Sequence, residues 1–359
     1  MLDETTHPTT TTQALRAAWA DLRESDPDLR ARDVAERLGV SEGELVACRQ
    51  GEGITRLQGP WAELIRALPQ VGRVMVLTRN DSCVHEKKGR FANVDIGGVM
   101  GVVLDKAIDL RLFLNHWKHG FAVAEKSRGR ELHSLQFFDG DGQAVHKVYR
   151  TDDTDVEAWS HLIASHAAAD QAAPLVPASV ADPLPETKRD NEVDATALRE
   201  GWRAMRDPHD FFALLKRHGV TRTQALRVAG DEFATRVDAQ AIGTVLDNAA
   251  ASSLPIMVFT GSPGVVQIHT GPVSNIKRMG PWLNVLDADF NLHLRQDQVA
   301  ESWVVRKPTP EGHVTSLDLY DARGRQILQV FGKRKPGIPE LAAWRELADS
   351  LPRREEQHA

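Results

Sequence analysis

Two spacings of hydrophobic positions alternate along the chain. Residues 13 to about 66 carry apolar side chains three and four positions apart, as in LRAAWADLRESD, ARDVAERLGV and SEGELVACR, and this spacing predicts helices. From Arg73 the spacing becomes two and β-branched residues are frequent, as in RVMVLTRN, FANVDI, GVMGVVL and HSLQFFD. The DGDG sequence at 139–142 predicts a hairpin turn, and TDVEAWSHLIASH predicts a closing helix. This part of the chain therefore predicts helices followed by an antiparallel sheet.

The second half of the chain repeats this pattern in the same order. SLQFFDGDGQAVHKVYR at 134–150 returns as SLDLYDARGRQILQVFGKR at 316–334. LRAAW, which ends at Trp19, returns as LREGW, and VEAW returns near the C-terminus as LAAW. Apolar positions repeat while polar ones differ, which is typical of a duplication whose two copies have different surfaces.

The order of the elements predicts the fold class and the domain boundaries. Helices cluster before and after runs of strands without strict alternation, which favours an α+β fold over a doubly wound sheet. We predict a tandem duplication with an N-terminal repeat at 13–166 and a C-terminal repeat at 197–352. Residues 167–196 are rich in Pro and Ala and lack apolar periodicity, which is typical of a linker.

Composition excludes several classes of protein. The net charge of −6 argues against a chain that mainly wraps nucleic acid. Two cysteines, Cys48 and Cys83, lie in no CxxC pair, which argues against a disulfide framework and a thiolate zinc site. No apolar run is long enough to cross a bilayer, and the N-terminus lacks the pattern of a secretory signal. We therefore expect a cytoplasmic protein without membrane insertion.

One histidine stands at the start of a predicted helix. In RDPHDFFALLKRHGV, Asp207 is placed to cap the helix, Pro208 occupies its first position and His209 follows just inside. Phe212 and Leu215 make the next face apolar. A neutral imidazole beside apolar walls suits a flat macrocycle that carries iron. A capping or surface role explains a single histidine equally well, so the residues alone leave both interpretations open.

Several longer segments together resemble one known family. They are DLRLFLNHW at 109–117, TRND followed by VHEKKGR at 78–90, SLQFF and HKVY at 134–149, and DPHDFF at 207–212. These segments are similar to the HemS/HmuS/ChuS family of bacterial cytoplasmic haem-utilisation proteins, and the match runs from Leu15 to Leu351. The resemblance implies that each half forms a large antiparallel β-sheet flanked by helices, and that haem b binds noncovalently in a cleft between the halves.

The resemblance also assigns roles to residues. His209 matches the family's proximal iron ligand, and Arg111 matches the arginine on the opposite face of the haem. A guanidinium is always protonated and cannot donate a lone pair to iron, so Arg111 would act by hydrogen bonding to a distal water, hydroxide or dioxygen. If the protein is an enzyme, Arg111 is the catalytic candidate. Phe113 matches an aromatic residue that packs near the pocket.

A second group of residues matches positions at the rim of the family's pocket, where they would pair with propionates or donate hydrogen bonds. This group is Arg222, Lys307, Gln329 and Arg334. Phe331 stands where the family commonly has Tyr, and loss of that hydroxyl should weaken one polar contact by about 1 kcal/mol. His85 matches a position linked to a possible secondary haem site, and His269 is its expected counterpart in the second half. For both histidines we favour structural hydrogen bonding.

Three functions are compatible with these patterns. The first is a carrier that receives imported haem and passes it to a downstream acceptor or haem oxygenase. The second is an enzyme that opens the porphyrin with electrons from an external reductase, since no GxGxxG signature is present. The third is a DNA-binding regulator, because ARDVAERLGVSEGELVACR resembles a helix-turn-helix. Glu42 and Glu44 would face the DNA there and repel phosphates, so we expect no DNA partner.

Overall fold

The computed structural model describes residues 12–26, 29–127, 129–178, 188–335 and 337–354. Part of the predicted linker, residues 179–187, lies outside the described residues. In the described part of the chain, no helix combines the length and apolar character that crossing a membrane requires.

The first half contains five helices and nine strands within the described ranges. The helices are α1 (Thr12–Ser25), α2 (Ala31–Leu38), α3 (Glu42–Ala47), α4 (Trp61–Ala67) and α5 (Val156–His166). The strands are β1 (Ile54–Leu57), β2 (Gly72–Arg79), β3 (Cys83–Arg90), β4 (Val94–Gly97), β5 (Met100–Leu104), β6 (Asp109–Phe113), β7 (His119–Ser127), β8 (Arg130–Phe138) and β9 (Ala144–Thr154). The predicted DGDG turn does join β8 to β9. Strand β1 interrupts the segment predicted as helical because it pairs with β7.

The second half repeats the series over the described residues. Its helices are α6 (Ala195–Arg203), α7 (Asp210–His218), α8 (Arg222–Ala229), α9 (Ala241–Ser252) and α10 (Ala342–Asp349). Its strands are β10 (Ala234–Val237), β11 (Ile256–Ser262), β12 (Val265–Gly271), β13 (Ile276–Met279), β14 (Trp282–Leu286), β15 (Phe290–Arg295), β16 (Glu301–Thr309), β17 (Gly312–Tyr320) and β18 (Gln326–Gly332). Short 3-10 helices occur at Leu68–Val71, Leu114–His116, Asp190–Glu192 and Gln296–Gln298.

The strands form two antiparallel sheets of nine strands each. Sheet 1 has the order β1-β7-β8-β9-β2-β3-β15-β14-β13, and sheet 2 has the order β10-β16-β17-β18-β11-β12-β6-β5-β4. Helices flank both sheets. The prediction of an α+β fold with two large antiparallel sheets is therefore confirmed.

Each sheet takes six strands from one half of the chain and three from the other. Strand β6 of the first half joins sheet 2 beside β12, with Arg111 opposite Val266. Strand β15 of the second half joins sheet 1 beside β3 in the equivalent way, with His293 opposite Val84. The two halves thus exchange three-stranded segments, and residues distant in sequence lie side by side on one sheet.

Each sheet has an inner face in the core and an open face that is partly accessible. In β11, Val258 and Thr260 are fully buried, whereas Met257, Phe259 and Gly261 are half-buried. Burial of one face and partial exposure of the other explains the spacing of two in the sequence. Helices α6–α8 pack on one end of the open face of sheet 2, where Trp202 and Phe211 join Trp303, Val305 and Tyr320 in one apolar cluster.

Glu42 holds the equivalent helices against sheet 1. It is the first residue of α3, its side chain is buried, and its carboxylate contacts Arg79 and the Lys147 ammonium, the latter at 2.5 Å. Burial opposes ionisation, but the charges and hydrogen bonds of Lys147 and Arg79 outweigh it and lower the pKa of Glu42 to about 2. The ion cluster therefore ties α3 to β2 and β9.

Replacing Glu42 with Gln should destabilise the protein, because Lys147 would keep its charge in a buried site without a counter-ion. We expect Glu42→Gln to lower the free energy of unfolding at pH 7 by about 3 kcal/mol. The folded-state pKa lies below the usual 4.5, so the stabilisation by Glu42 is present above pH 4.5 and is lost as the pH falls towards 2. Urea unfolding at pH 7 and pH 3 should show the difference between the two proteins shrinking at pH 3.

The matched control is Glu36→Gln, which removes an exposed carboxylate from the neighbouring helix α2. It should change the free energy of unfolding by less than about 0.5 kcal/mol. Equal stability of Glu42→Gln and the control at pH 7 would contradict the role given to the ion cluster.

Candidate functional site

The open face of sheet 2 brings together most of the site residues expected from the sequence. Residues directly opposite each other on neighbouring strands project from the same face. One row across the sheet consists of Asp318, Gln329 and Phe259, each opposite the next. A second row consists of Gly261, Val266 and Arg111, with Val266 between the other two. Alternation along the strands adds Lys307, Phe331, Met257 and Phe113 to this face.

His209 immediately precedes helix α7, whose Phe211 packs against the Lys307 end of this face. The helix starts at Asp210 with His209 as its N-cap, so the predicted start, with Asp207 as the cap, is wrong by two residues. Asp207 instead forms a turn ahead of the helix and accepts the backbone N–H of His209 at 2.8 Å. The side chain of His209 is 96% exposed.

The ring of His209 has a defined hydrogen-bonding partner. Nδ1 lies 2.5 Å from the Asp207 carboxylate, which only accepts hydrogen bonds when ionised. The pKa of Asp207 is lowered, first by the hydrogen bond from the His209 backbone and further by the His209 ring and by Arg334, which follows β18. Nδ1 is therefore the donor to Asp207, and in the neutral ring Nε2 presents its lone pair to solvent. A histidine that ligates a metal generally has such a carboxylate behind it.

Two cations of the expected rim group meet over one aromatic ring. The Lys307 ammonium lies 4.8 Å from the centre of the Phe211 ring and the Arg222 guanidinium carbon lies 5.4 Å from it. Lys307 is only 4% exposed, and burial lowers its pKa to about 8 although the charge of Asp318 partly offsets this effect. Two positive groups beside an apolar wall suit the carboxylates of an otherwise apolar ligand.

Asp318 organises the polar centre of the open face. One of its oxygens accepts a hydrogen bond from the Gln329 amide at 2.7 Å and from the Tyr320 hydroxyl at 3.2 Å. Burial and the charge of Asp318 raise the pKa of Tyr320, so the hydroxyl keeps its proton. The other Asp318 oxygen and the Ser316 hydroxyl are buried without a partner among the described residues. These two atoms are available to a water molecule or to a polar group of a ligand.

Arg111 reaches the open face from the first half of the chain. Its guanidinium pairs with Asp109 on the same strand and donates to the Leu110 carbonyl at 3.3 Å. Burial raises the pKa of Asp109 although Arg111 partly offsets this effect. With 40% of its side chain exposed, Arg111 retains accessible donors. The structure thus places Arg111 and His209, from different halves, around one sheet face.

His85 lies on the inner face of sheet 1, away from the open face of sheet 2. It is fully buried, its Nδ1 lies 3.3 Å from the Thr260 hydroxyl, and its ring contacts Phe290 edge-on at 5.0 Å between centroids. Burial lowers its pKa well below the usual value, so the ring is neutral. This environment favours the structural hydrogen-bonding role.

The expected correspondence between His85 and His269 is wrong. His85 lies opposite Thr78 in sheet 1, and Gln267 lies opposite Thr260 in sheet 2, so Gln267 is the counterpart of His85. His269 corresponds to Lys87 instead, and the Lys87 ammonium contacts His269 Nδ1 at 2.7 Å. The two histidines therefore occupy positions two residues apart in the equivalent strands, a difference that only the strand register reveals.

Helix α3, the second helix of the helix-turn-helix pattern, is buried against its own module. Its buried residues are Glu42, Gly43, Leu45, Val46 and Ala47. Glu42 was expected to face a partner, but its ion pairs direct it into the protein. A recognition helix must enter the major groove, and α3 is inaccessible for that purpose. The placement removes the physical basis of the helix-turn-helix hypothesis.

The model of the "Haemin-degrading HemS.ChuX domain" family matches residues 39–166 and 219–351, one segment in each half. The chain belongs to this family. The family assignment made from the sequence segments is therefore confirmed.

Relatives and solved structures match over nearly the whole chain. Hemin transport protein HmuS of Yersinia pestis is 43% identical over 93% of this chain and 96% of its own length. Hemin transport protein HemS of Yersinia enterocolitica is 41% identical over 91% of this chain and 94% of its own length. The structure of PhuS, a heme-binding protein from Pseudomonas aeruginosa, has 49% identity and a TM-score of 0.93 over 96% of this chain and 100% of that chain. The heme degrading enzyme ChuS of Escherichia coli O157:H7 has 40% identity and a TM-score of 0.89 over 95% of this chain and 100% of that chain.

Sequence reasoning missed several residues of the site. Asp109, Phe211 and Asp318 each contact an expected site residue, and Tyr320 donates a hydrogen bond to Asp318. The signal for Asp318 was present, because the repeat SLQFF has Gln136 where SLDLY has Asp318. A polar difference between two copies of a duplicated segment marks a position where their environments differ.

Lys307→Met should stabilise the haem-free protein. At pH 7 the folded state bears the cost of a buried ammonium, and Met fills a similar volume without a charge, so we expect a gain of about 2 kcal/mol in the free energy of unfolding. The folded-state pKa of about 8 lies below the usual 10.5. The cost is therefore fully present below pH 8, and the advantage of the variant should shrink as the pH rises from 8 to 10.5. Urea unfolding at pH 7 and pH 10 measures both effects.

Lys333→Met, an exposed lysine after β18, is the control and should leave stability nearly unchanged. A Lys307→Met protein that is less stable than the wild type at pH 7 would contradict this assignment.

Proposed function

We propose that this chain is a cytoplasmic haem carrier that binds haem on the open face of sheet 2 and passes it on for iron acquisition. The observation that carries the proposal is the pairing of His209 with Asp207, which leaves Nε2 exposed as an iron ligand at the edge of an apolar sheet face. Relatives titled hemin transport proteins, similar over almost the full chain, support the same function.

The residues of the open face fit the shape and charge of haem. Phe259, Val266 and Phe331 offer an apolar surface of neighbouring strands on which a flat macrocycle can lie. Lys307 and Arg222 offer positive charge at one end of this surface for the propionates. This face combines a flat apolar surface with cations at one end, whereas an ordinary half-exposed sheet face has no such combination.

We propose that the bound molecule is haem b, held without covalent bonds. Both cysteines are buried free thiols whose pKa values are raised by burial, and neither lies on the open face. No CxxCH sequence is present to attach the vinyl groups of haem. Binding would then rest on the His209 ligand, apolar contact and ion pairs, which allows the release that a carrier needs.

Arg111 would act on the side of the haem opposite His209. Its guanidinium cannot ligate iron, so it donates hydrogen bonds to whatever oxygen-containing group occupies that side. Asp109 and the Leu110 carbonyl orient the guanidinium and limit its reach. The arginine thus selects for a polar group on that side of the ligand.

The first test is a haemin titration followed in the Soret region. We expect saturable binding by the wild type, and we expect His209→Ala to shift the Soret maximum and weaken binding by 10- to 100-fold, in line with about 1.4 to 3 kcal/mol for a lost metal ligand contact. His161→Ala removes an exposed histidine from α5 and should behave as the wild type. An unchanged spectrum and affinity in His209→Ala would overturn the proposal.

The second candidate function is haem degradation, which the similarity to ChuS and the position of Arg111 favour. The enzyme would need electrons from an external reductase. The carrier proposal predicts that the haem complex, given a reductant in the presence of catalase, forms no linear tetrapyrrole, because catalase removes the peroxide that degrades haem without an enzyme. Product identification by mass spectrometry decides the question. A linear tetrapyrrole that forms in the wild type but not in Arg111→Ala would establish the enzyme instead.

A further inference from the structure

Gly261 stands in strand β11 at a position where its own backbone does not require glycine. Its φ angle is not positive, so its backbone conformation is accessible to other residues. A Cβ built at Gly261 would meet its nearest atoms, the Val265 carbonyl oxygen and Val266 Cγ2, at 3.9 and 4.0 Å, which is ordinary contact. Glycine inside a strand is unfavourable and often marks a close approach by a ligand or another backbone. Among the described residues no atom comes closer than 3.9 Å to that Cβ position, so the space beside Gly261 is open to a ligand.

The position of Gly261 is central on the open face of sheet 2. It lies opposite Val266, which in turn lies opposite Arg111. Along its own strand, Phe259 lies two residues away on the same face, opposite Gln329. The missing side chain thus leaves a gap on this face between Arg111, two strands away, and Phe259, two residues along the same strand.

On the equivalent open face of sheet 1, a side chain occupies the position that corresponds to this gap. There the equivalent row is Arg79, Val84 and His293, because Arg79 lies opposite Val84 and Val84 opposite His293. Arg79 is the counterpart of Gly261, and its guanidinium extends over the sheet to pair with Glu42 of α3. The long side chain and its buried ion pair occupy the space that Gly261 leaves empty in sheet 2.

We infer that Gly261 determines which of the two sheet faces accepts a planar iron macrocycle, by leaving the space that Arg79 fills on the other face. This inference rests on the proposed haem-carrier function and adds a specificity-determining residue to it. One consequence is that each chain offers one such face rather than two, although the halves are duplicated. Gly261 has no side chain to contact a ligand, and its neighbour on this face is the apolar Val266, so we expect its effect to be one of clearance.

The experiment compares three substitutions at Gly261 in the full-length chain by haemin titration in the Soret region. Gly261→Ala adds only a Cβ and should bind haemin within 3-fold of the wild type. Gly261→Leu and Gly261→Arg should each weaken binding more than 100-fold, while the thermal unfolding midpoint of the haem-free protein stays equal or rises. The arginine variant distinguishes loss of space from a charge effect, because a cation added to this face would on charge alone strengthen the binding of a ligand that carries two carboxylates.

The matched control is Ala251→Arg, which adds the same side chain to an exposed position of α9, a helix that packs against the inner face of sheet 2. It should bind haemin as the wild type does. Binding by Gly261→Leu and Gly261→Arg within 3-fold of the wild type would overturn the inference and leave the proposed function intact. Absence of saturable binding by the wild type itself would instead overturn the proposed function.

Discussion

The pairing of β6 with β12 is the constraint on which the site depends. It places Arg111, from the first half of the chain, opposite Val266 on a sheet whose other site residues belong to the second half. Antiparallel strands fix register residue by residue, and a slip of one position would turn Arg111 into the core. The composite candidate site therefore requires that both halves are folded and that their three-stranded segments are exchanged.

The duplicated halves use equivalent positions in opposite ways. The first residue of α3 is Glu42 and the first residue of α8 is Arg222, and both helices pack on the open face of their sheet. Glu42 binds Lys147 and Arg79 and closes its face with a buried ion cluster. Arg222 lies with Lys307 over the Phe211 ring, and neither cation forms an ion pair within 4.0 Å in the part of the chain that the structure describes. The first helix residue is thus negative on sheet 1 and positive on sheet 2. This difference in charge helps to close the open face of sheet 1 and to leave that of sheet 2 accessible.

The fold was largely predictable because its signal is local. Alternating apolar residues mark the strands, and the repeat of segments roughly 180 residues apart marks the duplication. The exchange of strands between sheets was not predictable, because β6 has the same alternation whichever neighbour it pairs with. The short strand Ile54–Leu57 was missed for the same reason, since only its pairing with β7 makes it a strand.

The sequence by itself determined the fold class and the family, and it supplied the residues of the candidate site, including a histidine after Asp-Pro and a set of cations in the second half. Tertiary structure decided which of these residues meet. It brought Arg111 across to the face edged by His209, placed His85 in the core and made Gln267 rather than His269 its counterpart. The physical reason is that side-chain periodicity is encoded along the strand, whereas register and neighbours are set by contacts between segments far apart in the chain.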